Sequence, residues 1–165
     1  MIELMVAVSV FLVAATITAG VFTRSIRTQR QSNQITTASS DASLILERMA
    51  REIRSGYSFS ISDFAGGTDN RIDFTREKDA APIAVSYWQD GDDIKRSEDG
   101  AEGILNAEST SVDKLQFILT QSDPSSDPWR ITVVLWVSPT DPNNSHISHL
   151  QTTVSARILP GELAQ

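Results

Sequence analysis

Residues 90–93, Asp90-Gly91-Asp92-Asp93, place three carboxylates within four residues. Oxygen ligands grouped around a flexible glycine suit Ca²⁺. The segment lacks the remaining spacing of an EF-hand loop and its closing glutamate. An Asp-Gly pair between two strands is also typical of a tight hairpin. We therefore favour a hairpin turn, keep calcium as the alternative, and expect no other cofactor.

The two histidines, His146 and His149, form the sequence His-Ile-Ser-His. An i,i+3 pair on a helix can hold a transition metal when a carboxylate joins it. No third ligand is marked in this stretch, so we favour a loop or the entrance of a strand. The chain also lacks a Gly-x-Ser-x-Gly elbow and the Gly-rich phosphate loops. We expect neither a catalytic residue nor an enzymatic activity.

Charge is divided unevenly along the chain. Residues 1–56 contain six Arg and four Asp or Glu, whereas residues 57–165 contain eight Lys or Arg and seventeen Asp or Glu. The C-terminal part is therefore acidic, and because phosphate backbones are bound through Lys and Arg, we expect it not to bind nucleic acid. The absence of cysteine excludes disulfides, thiolate metal ligands and cysteine nucleophiles.

Glu3 lies at the start of an almost uninterrupted apolar run from Leu4 to Phe22. About 20 apolar residues cross the hydrocarbon core of a bilayer as a helix, so the run predicts a membrane span at about residues 4–22. An acidic side chain in hydrocarbon costs roughly 2.5–3.5 kcal/mol, so Glu3 is expected to have a cationic partner. We place that partner on another subunit. An interfacial Glu at the mouth of an ordinary anchor is the alternative.

Small residues recur at intervals of four within the span. Ala15 and Ala19 form one such pair, and Thr16 and Gly20 form another. This spacing permits close approach of a second helix, so we expect these residues to pack against neighbouring spans.

The helix is expected to continue beyond the span, because neither Pro nor Gly occurs from Thr23 to Ser55. Apolar residues at intervals of three and four predict a stripe that packs on the rest of the molecule; they are Ala42, Ile45, Leu46, Met49 and Ile53. Solvent is expected to surround the intervening charges, Glu47, Arg48, Arg51, Glu52 and Arg54. Polar residues 28–41 should pack weakly, and Gly56 should end the helix.

After Gly56 the apolar residues recur with a period near two, which predicts strands. The expected strands are 57–62, 72–75, 83–88, 94–97, 112–120, 130–137 and 150–158. Turns rich in Gly and Pro divide them, which favours an antiparallel meander. Both alternating sets of the 130–137 strand are apolar, so we expect both of its faces to be covered. Trp136 should fill the core, and Trp129 is the better candidate for exposure.

These patterns predict an α+β protein in two parts. Residues 1–56 form a long hydrophobic helix or stalk, and residues 57–165 form a head built on an antiparallel β-sheet. The head has a length near that of an independently folding domain.

The residues from Ile2 to Val8, followed by further apolar residues and an arginine-bearing helix, closely resemble the N-terminus of type IV pilin-like proteins. In that family a basic leader ends in Gly and precedes Phe-Thr-Leu-Ile-Glu-Leu. This chain matches from the Leu position, which Met1 occupies, and Glu3 takes the place of the family's helix-borne acid. A shortened sequence or a misplaced start codon would explain why the leader, the Gly and the Phe do not appear.

Several head segments look like those of J-type minor pseudopilins of type II secretion and W-type minor pilins of type IV pili. They are Val85–Trp88, Ile94–Arg96, Leu115–Phe117 and Leu150–Arg157. The resemblance implies a structural minor subunit that acts in initiation or at the tip of a filament.

The resemblance also implies partners and a location. A prepilin peptidase would remove the leader, the new N-terminus would be methylated, and Glu3 would offset the α-amine of a neighbouring subunit. The chain would lie in the bacterial inner membrane with its head outside the cytoplasm, and then join other pilin or pseudopilin subunits in a pilus or pseudopilus at the cell surface.

Three alternatives stand beside this interpretation. Arg24, Arg27 and Arg30 follow the span, and by the positive-inside rule alone they would place the head in the cytoplasm. A single-pass anchored extracytoplasmic binding domain that does not polymerise is the second functional hypothesis. An anchored enzyme with a site of scattered Asp, Glu and His is a third.

Overall fold

A computed structural model describes residues 1–79, 81–120 and 128–157 of the chain. It contains one long helix followed by eight strands. In chain order they are α1 (Ile2–Arg54), β1 (Gly56–Ser62), β2 (Arg71–Lys78), β3 (Ala81–Asp90), β4 (Asp93–Glu98), β5 (Ala101–Ile104), β6 (Thr110–Thr120), β7 (Arg130–Pro139) and β8 (Ser148–Ser155). A long N-terminal apolar helix followed by antiparallel sheets confirms the predicted α+β fold class.

The strands form two antiparallel sheets rather than one. Strands β1 to β5 pair in sequence order in a five-stranded sheet, and β6, β7 and β8 form a three-stranded sheet. Strand β5 was not predicted, because all four of its residues are exposed and they show no alternation. The strand predicted at residues 150–158 is observed at Ser148–Ser155. Ile158 lies outside the described residues.

Helix α1 is 53 residues long, which corresponds to about 80 Å at 1.5 Å per residue. It ends at Arg54, and Gly56 already belongs to β1. A methyl group on Gly56 would lie 2.6 Å from Cδ2 of Phe74. Any larger residue here would require Phe74 to move, because β1 and β2 approach closely at this point.

The core lies between the last third of α1 and the two sheets. The predicted helical stripe is confirmed, since Ala42, Met49 and Ile53 are fully buried and Ile45 and Leu46 nearly so. They pack against buried residues of both sheets: Phe59, Ile72, Phe74, Val85, Tyr87, Ile94, Val112, Leu115, Phe117, Ile131, Val133, Leu135, Val137 and Val154. The stalk and the head thus share one core.

Strand β7 is buried on one face only, so the prediction that both faces are covered is wrong. Ile131, Val133, Leu135 and Val137 face the core, whereas the alternate residues are half-buried. Trp136 is one of these and is not a core residue. Its ring stacks on His149 of β8, with centroids 4.4 Å apart, and Lys114 of β6 lies 5.0 Å from its centroid. Side chains of the two neighbouring strands, and not the core, therefore cover the Trp136 ring. The half-buried Trp129 packs against the core beside Phe59.

The polar helical segment 28–41 is held more firmly than its composition predicts. Gln34 Nε2 donates to Asp141 Oδ2 at 2.9 Å, and the buried Asn144 donates to the backbone carbonyl of Gln31 at 3.1 Å. Asp41 accepts a hydrogen bond from the backbone N–H of Ala107 at 3.0 Å. Eight of the fourteen residues are exposed and only Ala38 is buried, so apolar packing is weak as expected. Apolar periodicity does not register the hydrogen bonds to distant loops that hold the segment in addition.

Replacing Met49 with Ala tests the shared core. Met49 is fully buried, so Met49→Ala should lower the free energy of unfolding by about 2–5 kcal/mol. Leu44 lies on the same helix and is 64% exposed, so Leu44→Ala should change it by no more than about 0.5 kcal/mol. Denaturant unfolding of the full chain in detergent micelles measures both. Equal effects of the two substitutions would contradict this packing.

Candidate functional site

The N-terminal part of α1 is a rod of exposed apolar side chains. Every residue from 1 to 30 is exposed, and the membrane-length window within the helix has none of its residues buried in the molecule. Its exposed large apolar residues include Leu4, Met5, Val10, Phe11, Val13, Ile17, Val21 and Phe22. A patch of this size rarely faces water in a soluble monomer. By length and composition this helix can cross a membrane.

Hydroxyl side chains in the rod are satisfied by the helix itself. Ser9 donates to the carbonyl of Met5, Thr16 to that of Leu12 and Thr18 to that of Ala14, at 2.8–2.9 Å. Each bond joins residues four apart and needs no water. The rod can therefore enter an apolar phase without leaving these groups unpaired, which is the main requirement for a spanning segment.

Glu3 is the one acidic residue in this rod, and its side chain is exposed at the N-terminal start of α1. The small residues Ala15, Thr16, Ala19 and Gly20 are also on the exposed surface. Around Gly20, no other atom lies within 4 Å of where a methyl group would stand. The surface that was predicted to receive a neighbouring helix is thus open, and its packing role stays a prediction.

A buried ion pair joins α1 to the five-stranded sheet. Glu52 and Arg96 are each only 8% exposed. Arg96 donates to both carboxylate oxygens of Glu52, at 3.0 and 3.1 Å, and the hydroxyl of Tyr87 donates to the same carboxylate at 2.6 Å. The expectation that Glu52 lies in solvent with its charged neighbours is therefore wrong. Its partner is 44 residues away in sequence, so local periodicity could not reveal the pair.

Glu98 extends this ion cluster toward the surface. It accepts hydrogen bonds from Lys78 at 2.7 Å, Arg96 at 2.6 Å and Arg76 at 3.3 Å. The hydrogen bonds from Lys78 and Arg96 lower the pKa of Glu98 to about 2. Burial, followed by the hydrogen bond to Glu52, raises the pKa of Tyr87 above its usual range. The hydrogen bonds of Glu52 with Arg96 and Tyr87 fix the position of α1 on the five-stranded sheet.

By contrast, the ion pair between Arg51 and Glu47, which are four residues apart on α1, is an ordinary surface contact. Arg51 donates to Glu47 at 2.9 Å, and both side chains are largely exposed. Such pairs contribute about 0.2–0.5 kcal/mol.

Residues 90–93 form the expected hairpin turn. Asp90 pairs with Asp93 at the ends of β3 and β4, and Gly91 has a φ of 62°. Lys95 binds the carboxylate of Asp90, and Asn106 donates to that of Asp93 at 3.1 Å. Asp92 remains exposed. The candidate calcium ligands Asp90, Asp92 and Asp93 are thus adjacent, but two of them already have protein partners.

The histidines do not form an i,i+3 helical pair. His146 lies in the loop before β8 and His149 lies in that strand, where it stacks on Trp136. Across residues 1–79, 81–120 and 128–157, no three His, Cys, Asp or Glu side chains are grouped so that they could hold a metal ion.

A separate cavity of about 470 Å³ opens between the loop at residues 64–70 and β6. Gln89, Asp113, Lys114 and Gln116 line its polar side. Asn70 shapes the loop by accepting from the N–H of Phe64 and donating to its carbonyl. The cavity is open to solvent, and apolar residues, Phe64, Ala65 and Leu115, line it beside the polar ones.

The ion cluster predicts a specific loss of stability in acid. The folded-state pKa of Glu98 lies below its ordinary value of 4.5, so its contribution is complete above that pH and is lost as the pH falls toward 2. Glu98→Gln should therefore reduce the fall in Tm between about pH 6 and about pH 3. Glu77→Gln, on the exposed end of β2, should leave that fall as it is. Thermal unfolding in micelles measures this, and identical pH profiles for the Glu98 variant and the parent chain would refute the role of Glu98.

Comparison of the chain with protein-family models, with curated proteins and with solved structures gave no match. The features that bear on function are therefore those of the chain itself. They are an exposed apolar rod with one acid near its N-terminus, a buried ion pair that joins the helix to the head, and an open cavity with polar and apolar walls in the head.

Proposed function

We propose that this chain is a structural minor subunit of a bacterial filament of the type IV pilin-like class, a pilus or a type II secretion pseudopilus, with a role in initiation or at the tip. Before assembly the apolar rod crosses the inner membrane once and the head lies outside the cytoplasm. During assembly the rod leaves the lipid and is buried among the rods of neighbouring pilin or pseudopilin subunits.

One observation carries this proposal. The exposed apolar rod continues without a break into a helix whose last third belongs to the core of the head. A plain anchor needs only a span and has no reason to be rigidly continuous with the domain it tethers. A filament subunit needs this continuity, because packing of the rods then fixes the positions of the heads.

Glu3 gives the assembly a specific polar contact. Taking a carboxylate into a low-dielectric bundle is unfavourable unless a cation meets it there. The α-amine of a neighbouring chain is a suitable cation, because the N-termini of parallel rods lie close together. The pair is then screened little by salt, since it is shielded from solvent.

Arg24, Arg27 and Arg30 bear on the orientation. They lie within the first few turns after the span, and all three are exposed. By the positive-inside rule they oppose an external head. The external orientation therefore rests on the resemblance of residues 2–8 to pilin-like proteins.

A second candidate function is a single-pass anchored binding domain that never polymerises. The cavity beside the loop at residues 64–70 favours it, because a small ligand would find apolar walls with several amide and charged groups there. This alternative requires no contact between rods and gives Glu3 no partner.

Replacing Glu3 separates the two functions. Glu3→Ala keeps the length of the span, so membrane insertion should be unchanged, but incorporation into filaments should fall about tenfold or more because the interchain ion pair is lost. Glu47→Ala removes an exposed acid from the same helix and should assemble normally. Shearing of cells followed by immunoblotting measures incorporation. Parental levels of the Glu3 variant in the sheared fraction would rule out this role.

A further inference from the structure

Three arginines line one pocket at the C-terminal end of α1, opposite the apolar rod. The pocket has a volume of about 250 Å³, and its described walls are Arg51, Arg54, Ser55 and Arg157, with no acidic residue among them. All four residues are exposed, so the guanidinium groups can meet a ligand from solvent. A concave site lined by cations points to an anionic ligand.

The carbonyl groups at this helix end do not need the arginine side chains. Backbone N–H groups of the cap donate to the carbonyls of Glu52 and Ile53, and the backbone N–H of Arg157 donates to the carbonyl of Arg54 at 3.0 Å. Arginine side chains near a helix C-terminus can bond the last carbonyls. Here the backbone fills that role, and the same bond brings Arg157 to the end of the helix.

These arginines also differ from most cations of the head in their pairing. Of the eight Lys and Arg residues after Gly56, five form ion pairs with acids; they are Arg71, Arg76, Lys78, Lys95 and Arg96. Within the described residues, neither Arg54 nor Arg157 forms an ion pair. Arg51 binds Glu47 at 2.9 Å.

The pocket therefore holds two uncompensated positive charges in a part of the protein that is otherwise acidic. Like charges on neighbouring side chains of a helix destabilise it. An anion bound between the guanidinium groups would remove this repulsion.

Charge and geometry select the kind of anion. Two uncompensated charges match a phosphate monoester, which carries about −1.5 to −2 charges at pH 7. Guanidinium groups bind pairs of phosphate oxygens through parallel N–H donors. A pocket of about 250 Å³ suits one such group, whereas a nucleic acid backbone is bound by a row of cations.

The position of the pocket limits where the phosphate comes from. Arg54 lies 32 residues beyond Phe22, which is about 48 Å along the helix. The phospholipid headgroups of a membrane that the rod crosses are therefore out of reach. The ligand must come from solution or from a surface beyond the far end of the head.

We propose that Arg51, Arg54 and Arg157 form a binding site for a phosphate dianion, either free or as a phosphomonoester. Arg54 and Arg157 supply the two uncompensated charges, and Arg51, which already binds Glu47, supplies further N–H donors. The site requires neither a filament nor a second subunit. It therefore goes beyond the proposed function, and its failure would leave that function untouched.

Calorimetric titration of the full chain with inorganic phosphate, in micelles of a neutral detergent, tests the site. At about pH 7.5 one phosphate should bind per chain. Arg54→Gln and Arg157→Gln should each weaken binding at least about tenfold, because each removes one uncompensated charge and its hydrogen bonds. Both substitutions keep the backbone groups that close the helix end, and an unchanged Tm without phosphate checks that each variant is folded.

Arg30→Gln is the matched control, since it makes the same change at an exposed position of α1 outside the pocket. This variant should bind phosphate as the parent chain does. Glu47→Gln frees Arg51 and should strengthen binding about two- to fivefold, as expected for an exposed pair. Parental affinity of both pocket variants, or no saturable binding by the parent chain, would overturn the proposal.

The pH dependence tests whether the site selects a dianion. Phosphate loses its second charge below about pH 6, so its affinity at about pH 5 should be at least about threefold lower than at about pH 7.5. Sulfate keeps both charges over this range and should bind equally at the two pH values. A sulfate affinity that falls as steeply as that of phosphate would overturn the assignment to a dianion.

Glucose 6-phosphate distinguishes the two sources of the phosphate group. Binding that is tighter than that of inorganic phosphate, and that is lost in Arg157→Gln, would assign the site to a phosphomonoester. Tighter binding of inorganic phosphate, with the same loss, would assign it to the free ion.

Discussion

Helix α1 must satisfy two environments with one unbroken backbone, and the rest of the structure depends on this constraint. Residues 2–30 of the helix are exposed, whereas Ala42, Met49 and Ile53 are fully buried in the head. The apolar rod needs lipid or other rods around it, and the buried stripe needs both sheets. Whatever surrounds the rod therefore also determines where the head is placed.

The ion pair between Glu52 and Arg96 makes this coupling specific. An apolar stripe alone tolerates small rotations of a helix, but a buried carboxylate that binds a guanidinium and the Tyr87 hydroxyl allows one arrangement. Removing one member would leave a buried charge unpaired, at a cost of about 3–5 kcal/mol where no other partner remains. Arg96 keeps Glu98 as a second partner, so the loss of Glu52 would be partly offset.

Periodicity predicted most of the fold, because the apolar stripe of α1 and the alternating strands are local patterns. It missed β5, whose four exposed residues carry no alternation, and it placed Trp136 in the core although cross-strand neighbours cover it. It also left Glu52 in solvent, since nothing in a helix signals a partner 44 residues away. Among the candidate site residues, Glu3 and the small residues of the span followed from composition, whereas the cavity beside residues 64–70 required the tertiary arrangement of that loop and β6.

In the function proposed here, the apolar rod leaves the lipid during assembly and becomes surrounded by neighbouring rods. The variant Val13→Cys tests this most directly, because it introduces the chain's single thiol in the middle of the rod. Cells that grow filaments are fractionated, and each fraction is treated with a membrane-impermeant thiol reagent. We predict that the chain occurs in both the membrane and the sheared filament fractions, with the thiol at position 13 unreactive in each. The matched variant Ser40→Cys, at an exposed position above the rod, should react in membranes. Confinement of the chain to the membrane fraction while filaments grow would contradict the account.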